Sequence, residues 1–141
     1  MRFAGRVFKV DRYWAIEVPI LGVSTQGRTR KEAMEMIADA IESLVNKEGF
    51  KVNVFPVSAT EHFEIGASDQ APLTALLLRR ERLRSGLTLA QVAARLGTRS
   101  LNSYARYEQG RATPTIQKLS QLFSAVAPHG DFVLTESQAD A

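Results

Sequence analysis

The sequence predicts an α+β domain followed by an all-helical domain, and three observations support this. Short hydrophobic segments with period-two alternation surround one amphipathic helix in the first 66 residues. From residue 72 onward, hydrophobic residues recur at helical spacing in four successive segments. The stretch between them is small and polar, as linkers are. We therefore expect a first domain over 1–66, a linker over 67–71, a second domain over 72–135 and a flexible tail over 136–141.

The first domain is expected to contain an antiparallel-type sheet. Between Tyr13 and Val18, the side chains of Trp14, Ile16 and Val18 fall on one face, as a sheet with one wet face requires. Asp11 and Arg12 interrupt two apolar stretches and predict a hairpin. The segments expected to be strands are residues 3–9, 13–20, 23–26, 51–55 and 62–65.

The one helix of the first domain has a start and a stop signal. Thr29 and Glu32 have the spacing of a capping box, in which each side chain bonds the other residue's backbone N–H. Apolar residues follow at helical spacing as far as Val45, and Gly49 is expected to end the helix. A helix on one face of the sheet completes the α+β unit.

Four helices are expected in the second domain. Pro72 suits the first turn of one helix, which Gly86 is expected to end. Thr88 with Gln91 forms a capping box for the next helix, which Gly97 is expected to end. Arg99 or Ser100 caps a third helix that runs to about Tyr107, and Pro114 opens a fourth. The inward face of the fourth helix is predicted to be Ile116, Leu119, Leu122, Phe123 and Val126. Residues 132–134 are expected to form a short strand or an arm.

The net charge of +3 is unevenly distributed along the chain. Residues 1–71 hold nine Lys/Arg and ten Asp/Glu, whereas residues 72–118 hold nine Lys/Arg against Glu81 and Glu108 alone. The second segment is therefore +7, and residues 119–141 are −3. A basic segment of this kind favours a polyanionic partner, most often nucleic acid, or else a solvated helical surface.

Two short helices, over residues 88–96 and about 100–107, have the spacing of a helix-turn-helix motif. In that motif the second helix enters the major groove and reads base edges, and a dimer reads two half-sites. We expect Tyr104, Tyr107 and Leu101 to lie in the core. The candidate DNA-binding residues are then Arg99, Ser100, Asn102, Ser103, Arg106 and Arg111. One such motif reads few base pairs, so a homodimer or a dimer of dimers is expected.

Three stretches of the second domain carry a family resemblance. They are Leu87–Gly97, Arg106–Arg111 and Pro114–Leu119. Together they resemble the Xre/Cro group of bacterial helix-turn-helix repressors over about residues 72–127. The sequence departs from that pattern in two places. The stretch from Thr98 to Ala105 is one residue longer than is usual in the group. Leu89 stands where many members carry a glutamine that contacts DNA.

The first domain resembles a second family. A strand ending at Pro19, a turn at Gly22, the sequence Thr25-Gln26-Gly27 and a helix beginning Thr29 with Glu32-Ala33 resemble the HicB antitoxins over about residues 5–47. That resemblance implies a partial ribonuclease-H-like fold. It also implies a cytoplasmic antitoxin of a type II toxin–antitoxin system, which neutralises a HicA-type mRNA-cleaving toxin and represses its own operon by binding DNA.

A row of acids on the predicted first-domain helix is the candidate toxin-binding surface: Glu32, Glu35, Asp39 and Glu42. A toxin that cleaves RNA is expected to present basic residues, which these acids would complement. The same acids could equally be a solvated helix face. The alternative function is a stand-alone helix-turn-helix repressor whose first domain senses a small ligand, with Tyr13 and Trp14 as candidate lining.

Several other classes of function are not expected. The chain has no cysteine, and His62 and His129 begin no ligand motif, so neither a metal site nor a cofactor is predicted. The acids Asp11 and Glu17 are too few for two-metal nuclease chemistry, and no other catalytic motif is present, so the chain is not expected to be an enzyme. No apolar run reaches the ~20 residues that span a bilayer, so no membrane partner is expected.

Overall fold

A computed structural model describes residues 1–58 and 60–139 and divides them into two compact units. The first unit comprises Met1–Asp69 together with residues 135–139, and the second comprises Gln70–Leu134. An α+β unit followed by an all-helical unit confirms the predicted fold class. The division falls within the segment that was predicted to be a linker.

The first unit is built on a five-stranded antiparallel sheet with the strand order β3-β2-β1-β5-β4. Pairs such as Val7 with Ile16 and Phe3 with Ile65 set the register, and these four side chains are all buried on the same face. The strands are β1 (Phe3–Val10), β2 (Tyr13–Val18), β3 (Val23–Gly27), β4 (Asn53–Pro56) and β5 (His62–Gly66).

Helix α1 (Arg30–Val45) packs on this buried face and contributes Ala33, Met34, Ile37 and Ile41 to the core. Gly27 makes the close packing possible, because a Cβ at this position would overlap the backbone at Ala33. A larger residue would therefore push the first turn of α1 away from β3.

The ends of α1 differ in detail from the sequence prediction. The Thr29 hydroxyl accepts from the Glu32 N–H at 3.0 Å as expected, but the Glu32 carboxylate accepts from the Arg28 N–H at 3.0 Å, one residue before the cap. The helix ends at Val45 and not at Gly49, because Asn46 adopts a left-handed conformation at φ 49° and donates its N–H to the Glu42 carbonyl. Asparagine is one of the few residues that tolerate this conformation.

The C-terminal segment of the first unit is anchored at Glu64 on β5. The Gln138 N–H donates to one carboxylate oxygen at 2.9 Å, and the Ser137 hydroxyl and the Arg2 guanidinium bind the other. Arg2 also stacks over the Phe55 ring at 3.6 Å. Of the predicted flexible tail, residues 140–141 lie outside the described residues, and the mobility of the rest stays a prediction.

The second unit contains four helices around one core. They are α2 (Ala71–Arg84), α3 (Leu89–Arg95), α4 (Leu101–Glu108) and α5 (Ile116–Val126). Every helix contributes to a buried cluster made of Leu78, Val92, Tyr104, Tyr107, Leu122, Ala125, Val126 and Ala127. The helices are therefore held to one another by apolar side chains that recur at helical spacing in the sequence.

Three helices of the second unit end in the same way. After α2, α3 and α4, a glycine with positive φ stands at Gly86, Gly97 and Gly110 respectively. At Gly97, its own N–H bonds the Ala94 carbonyl and the Thr98 N–H bonds the Ala93 carbonyl, which is the Schellman pattern. The glycines predicted to stop α2 and α3 do so, which confirms those two boundaries.

Two predicted core residues of the second unit are exposed, and of the short strand or arm expected over 132–134 no strand is formed. Ile116 is 87% exposed because it is the first residue of α5 and precedes the turn that packs on the core. Leu101 is 48% exposed for the same reason at the start of α4. The second unit provides no strand with which residues 132–134 could pair, and these residues remain irregular.

Candidate nucleic-acid interface

Helices α3 and α4 are joined by a tight turn over residues 96–100. Gly97 reverses the chain at φ 75°, and the Thr98 hydroxyl accepts from the Ser100 N–H at 3.2 Å. A full capping box at Thr88 and Gln91 starts α3, as the sequence predicts. Helix α3 is thus defined by short-range signals, whereas Ser100 at the N-cap of α4 forms no side-chain cap hydrogen bond. The turn fixes the direction in which α4 leaves α3.

One face of α4 is anchored in the core and the other is exposed. Tyr104, Ala105 and Tyr107 are buried, whereas the three N-terminal residues 101–103 are exposed together with Arg106. All six candidate DNA-binding residues are exposed: Arg99, Ser100, Asn102, Ser103, Arg106 and Arg111. The exposed surface therefore gathers at the N-terminal half of α4, the part that enters the major groove in helix-turn-helix proteins.

The candidate side chains differ in how firmly they are held. Arg106 lies along Tyr107, with its guanidinium 5.0 Å from the ring centroid and a 3.3 Å bond to the phenol oxygen. The Ser103 hydroxyl is 3.5 Å from that of Thr98. Among the described residues, the side chains of Arg99, Asn102 and Arg111 have no hydrogen-bond partner. Their donors are available to bases or phosphates.

A buried ion pair fixes the C-terminal end of α4 to α2. Arg82 donates three hydrogen bonds of 2.6–3.0 Å to the two oxygens of Glu108, and a fourth of 2.9 Å reaches the Leu87 carbonyl. The two side chains are only 14% and 7% exposed. This bidentate pair supports the helix that carries the candidate contacts, and sequence reasoning missed it because its members lie 26 residues apart.

Two pKa shifts follow from the same arrangement. The hydrogen bonds that Arg82 donates to Glu108 raise the pKa of Arg82, although burial opposes this. Burial is the main cause that raises the pKa of Tyr104, and the adjacent Glu108 carboxylate is the second. Arg82 therefore stays charged and Tyr104 stays neutral at neutral pH.

Both acids of the basic segment are withdrawn from the surface. Glu81 is buried on α2 with the Arg84 guanidinium 4.0 Å away, and the Glu108 carboxylate is paired with Arg82. Exposed arginines remain at Arg79, Arg80, Arg84, Arg95, Arg99, Arg106 and Arg111. The exposed charge of residues 72–118 is consequently positive throughout, which favours a polyanion.

Residues 75–127 match the helix-turn-helix domain family. The match spans α2 to α5 and includes the exposed face of α4 described above. This match supports a DNA-binding helix-turn-helix domain in the second unit. The second helix of such a motif is the one that enters the major groove, and α4 is the second helix of the α3–α4 pair. A comparison of the whole chain with curated proteins finds no match.

Leu101 is a residue of the helix-turn-helix domain whose exposure the sequence prediction missed. It stands at the exposed start of α4 beside Asn102 and Ser103. An exposed aliphatic side chain in this position suits contact with a thymine methyl group in the major groove. The available signal was its place among polar residues at the first helical position, where packing on the core has not yet begun.

The four acids of α1 have two different environments in the first unit. Glu32 and Glu42 stabilise the backbone near the two ends of α1. The Glu32 carboxylate accepts from the Arg28 N–H, and the Glu42 carboxylate accepts from the Val52 N–H at 2.9 Å. Glu35 and Asp39 are exposed and make no ion pair with any described residue. The negative charges that a partner could reach on this helix are thus mainly those two.

An apolar groove of about 590 Å³ lies between α1 and the edge strand β4. Met34, Ala38, Val54 and Pro56 line it, and Glu35 stands with Arg30 and Lys31 among its polar lining. The same helix exposes Met36 and Leu44. Exposed apolar residues beside charges are typical of protein-binding surfaces.

No cluster of three or more potential metal ligands occurs among residues 1–58 and 60–139. In the same part of the chain, no helix is both long and apolar enough to cross a membrane.

Proposed function

We propose that this chain is the antitoxin of a type II toxin–antitoxin system and acts in the cytoplasm. In this proposal, the helix-turn-helix domain binds operator DNA and represses the operon, and the first unit binds a HicA-type mRNA-cleaving toxin. No catalytic role is proposed. The observation that carries the DNA-binding half is the helix-turn-helix domain with an exposed, acid-free face on α4.

Three features support the toxin-binding half. The sequence of residues 5–47 resembles the HicB antitoxins, and the sheet with one packed helix is an architecture compatible with that resemblance. Glu35 and Asp39 offer exposed negative charge on α1, and the groove beside Glu35 offers apolar surface. Charge complementarity with a basic partner increases the association rate.

The DNA-binding half is tested with DNA taken from upstream of the gene. Replacing Arg99, Asn102 and Arg106 together with alanine is expected to abolish sequence-specific binding in fluorescence anisotropy. The matched control is Arg79→Ala with Arg80→Ala, which removes the same net charge from an exposed part of α2. A triple variant that binds the operator as tightly as this control contradicts the assignment of α4.

The toxin-binding half is tested by co-expression with the small protein encoded beside the gene. The full chain is expected to co-purify with that protein and to suppress its RNA cleavage. Glu35→Lys with Asp39→Lys should slow association at low salt, whereas Glu48→Lys, an exposed acid beyond α1, should not. A chain that neither binds nor inhibits the neighbouring gene product is not an antitoxin.

A further inference from the structure

The nine lysines and arginines of the first unit fall into two groups. Four of them form ion pairs with acids of the same unit, and these are Arg2, Arg6, Lys47 and Lys51. The other five form no ion pair with a described carboxylate, and these are Lys9, Arg12, Arg28, Arg30 and Lys31. The charge of these five unpaired cations is therefore available to a partner.

Three of the five unpaired cations lie at one end of the sheet. Lys9, near the end of β1, is paired with Trp14 on β2, and Trp14 is paired with Gly27 at the end of β3. Neighbouring strands are about 4.8 Å apart, so these three positions span about 10 Å. Arg12 lies in the turn that joins β1 to β2, and Arg28 directly follows β3. The sheet topology therefore gathers cations that are up to 19 residues apart in the sequence.

The first turn of α1 adds the other two unpaired cations at the same end. Strand β3 ends at Gly27, which lies against the backbone of Ala33 in this turn. Lys31 is exposed, and the Arg30 guanidinium donates to the Thr60 carbonyl at 3.3 Å in the connection between β4 and β5. A carbonyl carries no net charge, so this bond positions Arg30 without neutralising it.

Acids neutralise little of the charge at this end. The Glu32 carboxylate accepts from the Arg28 N–H at 3.0 Å, and Glu61 is paired with Arg6. Asp11, in the turn between β1 and β2, is exposed. The five unpaired cations therefore outnumber the acids beside them, although residues 1–71 as a whole hold nine Lys/Arg and ten Asp/Glu. A local positive surface of this kind attracts a polyanion.

Two aromatic side chains at the start of β2 lie among the unpaired cations. Tyr13 is 38% exposed and Trp14 is half-buried. Successive residues of a strand point to opposite faces, so one ring lies on each face at this end of the sheet. Cations that contact phosphates and rings that stack on bases are together typical of sites for single-stranded nucleic acid. An acidic protein would use the cations but would have no base to place on the rings.

We propose that this end of the first unit, with its five unpaired cations and Tyr13, binds single-stranded nucleic acid. The cations contact the phosphates, the exposed Tyr13 ring stacks on a base, and Trp14 lies at the edge of the site. RNA and DNA single strands share this chemistry. The site belongs to a different unit from α4, and on α1 it uses the first turn and not Glu35 or Asp39. It is therefore a binding activity beyond the two proposed above.

Fluorescence anisotropy of the full chain with labelled RNA and DNA single strands of about 12 nucleotides tests the site. Arg12→Gln with Arg28→Gln should weaken binding at least about tenfold. It should also lower the slope of log affinity against log salt concentration by about 1.4, since each lost phosphate contact contributes about 0.7. The matched control is Lys47→Gln with Lys51→Gln, which removes the same charge from cations that are already paired. This control should bind as the wild type does.

Trp14 provides a second readout, because it is the only tryptophan of the chain. Its fluorescence is expected to change at the same single-strand concentrations that raise the anisotropy. Tyr13→Ile keeps a β-branched residue in β2 but removes the stacking ring, and it should weaken binding about fivefold or more. The ratio of the RNA and DNA affinities then shows whether the 2′-hydroxyl is recognised.

Several results would overturn the proposal. One is equal weakening by the two double variants, and another is binding without a change in Trp14 fluorescence. Polyglutamate or a duplex of the same length that displaces the single strand equally well, charge for charge, would show that the surface binds any polyanion. The triple alanine variant of Arg99, Asn102 and Arg106 separates this site from the proposed operator site. It should lose the operator and keep the single strand, and loss of the single strand as well would place that binding on α4.

Discussion

In the second unit, some individual side chains stabilise helix α4 and others are candidate DNA contacts. Arg82 and Glu108 form a closed pair beneath α4, with bonds to both carboxylate oxygens. Arg106, on the exposed face of the same helix, lies against the ring of Tyr107. A loss of DNA binding can therefore arise by removal of a contact or by loosening of the helix, and the two causes need different measurements.

Removal of one member of the buried pair should be costly. Glu108→Ala is expected to lower the free energy of unfolding by about 3–5 kcal/mol, because Arg82 is left charged and without its partner. Urea denaturation followed by circular dichroism measures this. The double replacement Arg82→Leu with Glu108→Leu should restore part of the lost free energy of unfolding. Equal destabilisation by both variants would show that the unpaired charge of Arg82 is not the cause.

The anchored C-terminal segment makes a pH-dependent contribution at Glu64. Partial burial opposes ionisation, but the hydrogen bonds from Ser137, Gln138 and Arg2 outweigh it and hold the pKa of Glu64 below its ordinary value. Since the folded pKa is lowered, the stabilisation is present above the unfolded pKa and is lost as pH falls through the folded pKa.

Comparison of wild type with Glu64→Gln checks this sign. The wild type should be the more stable protein at neutral pH, and its advantage should shrink on acidification below the ordinary carboxyl range. Unfolding free energies at a series of pH values provide the measurement. An advantage that grows toward low pH would mean that the pKa of Glu64 is raised.

At the level of secondary structure, most element boundaries follow from short-range chemistry. Thr29, Thr88 and Thr115 each accept a hydrogen bond from the N–H three residues later and start a helix. The first two were predictable from the sequence because a capping box spans only four residues. Glycines with positive φ end α2 and α3 where the sequence places them.

Features that depend on tertiary packing could not be predicted from such short-range signals. Helical periodicity gives the angular position of Ile116 and Leu101 but not whether anything packs against the first turn, and both are exposed. The Arg82–Glu108 pair and the groove beside α1 each bring together residues from distant parts of the chain. The exposed polar face of α4 was predictable, because its tyrosines identify the opposite, buried face.

The turn between α3 and α4 provides a test at this level. Gly97→Ala should destabilise the second unit by about 1–2 kcal/mol, since an L-residue is strained at φ 75°. Gly130→Ala is the matched control. A Cβ meets nothing within 4 Å at either glycine, and only Gly97 has a positive φ. Equal unfolding midpoints for the two variants would contradict a strained turn.

Over the whole molecule, two units with separate cores carry the two halves of the proposed function. The single tryptophan, Trp14, lies on β2 of the first unit, so its fluorescence reports that unit alone. The buried Tyr104 and Tyr107 belong to the second unit. The third tyrosine, Tyr13, lies on β2 of the first unit, so unfolding of each unit can be followed with its own optical probe in a Tyr13→Phe background.

Substitutions in one unit should leave the other unit's transition in place. Gly27→Ala is expected to cost about 1–3 kcal/mol through overlap with the backbone at Ala33, and to lower the midpoint seen by Trp14 fluorescence. Glu108→Ala should lower the midpoint seen by tyrosine near-ultraviolet dichroism instead. Midpoints that always move together would mean that the chain unfolds as a single cooperative body.

The burial of both acids in the basic segment limits the mutational routes open to this domain. Glu81 and Glu108 are the only acids of residues 72–118, and neither presents free negative charge. Replacing Glu108 would leave a buried arginine unpaired before it added anything to the outer surface. Selection for tighter binding to nucleic acid must therefore proceed by gain of lysine or arginine at neutral surface positions. Selection for weaker binding is easier, since the exposed side chains of Arg79, Arg80, Arg99 and Arg111 form no hydrogen bond or ion pair with a described residue and can be lost at little cost to folding.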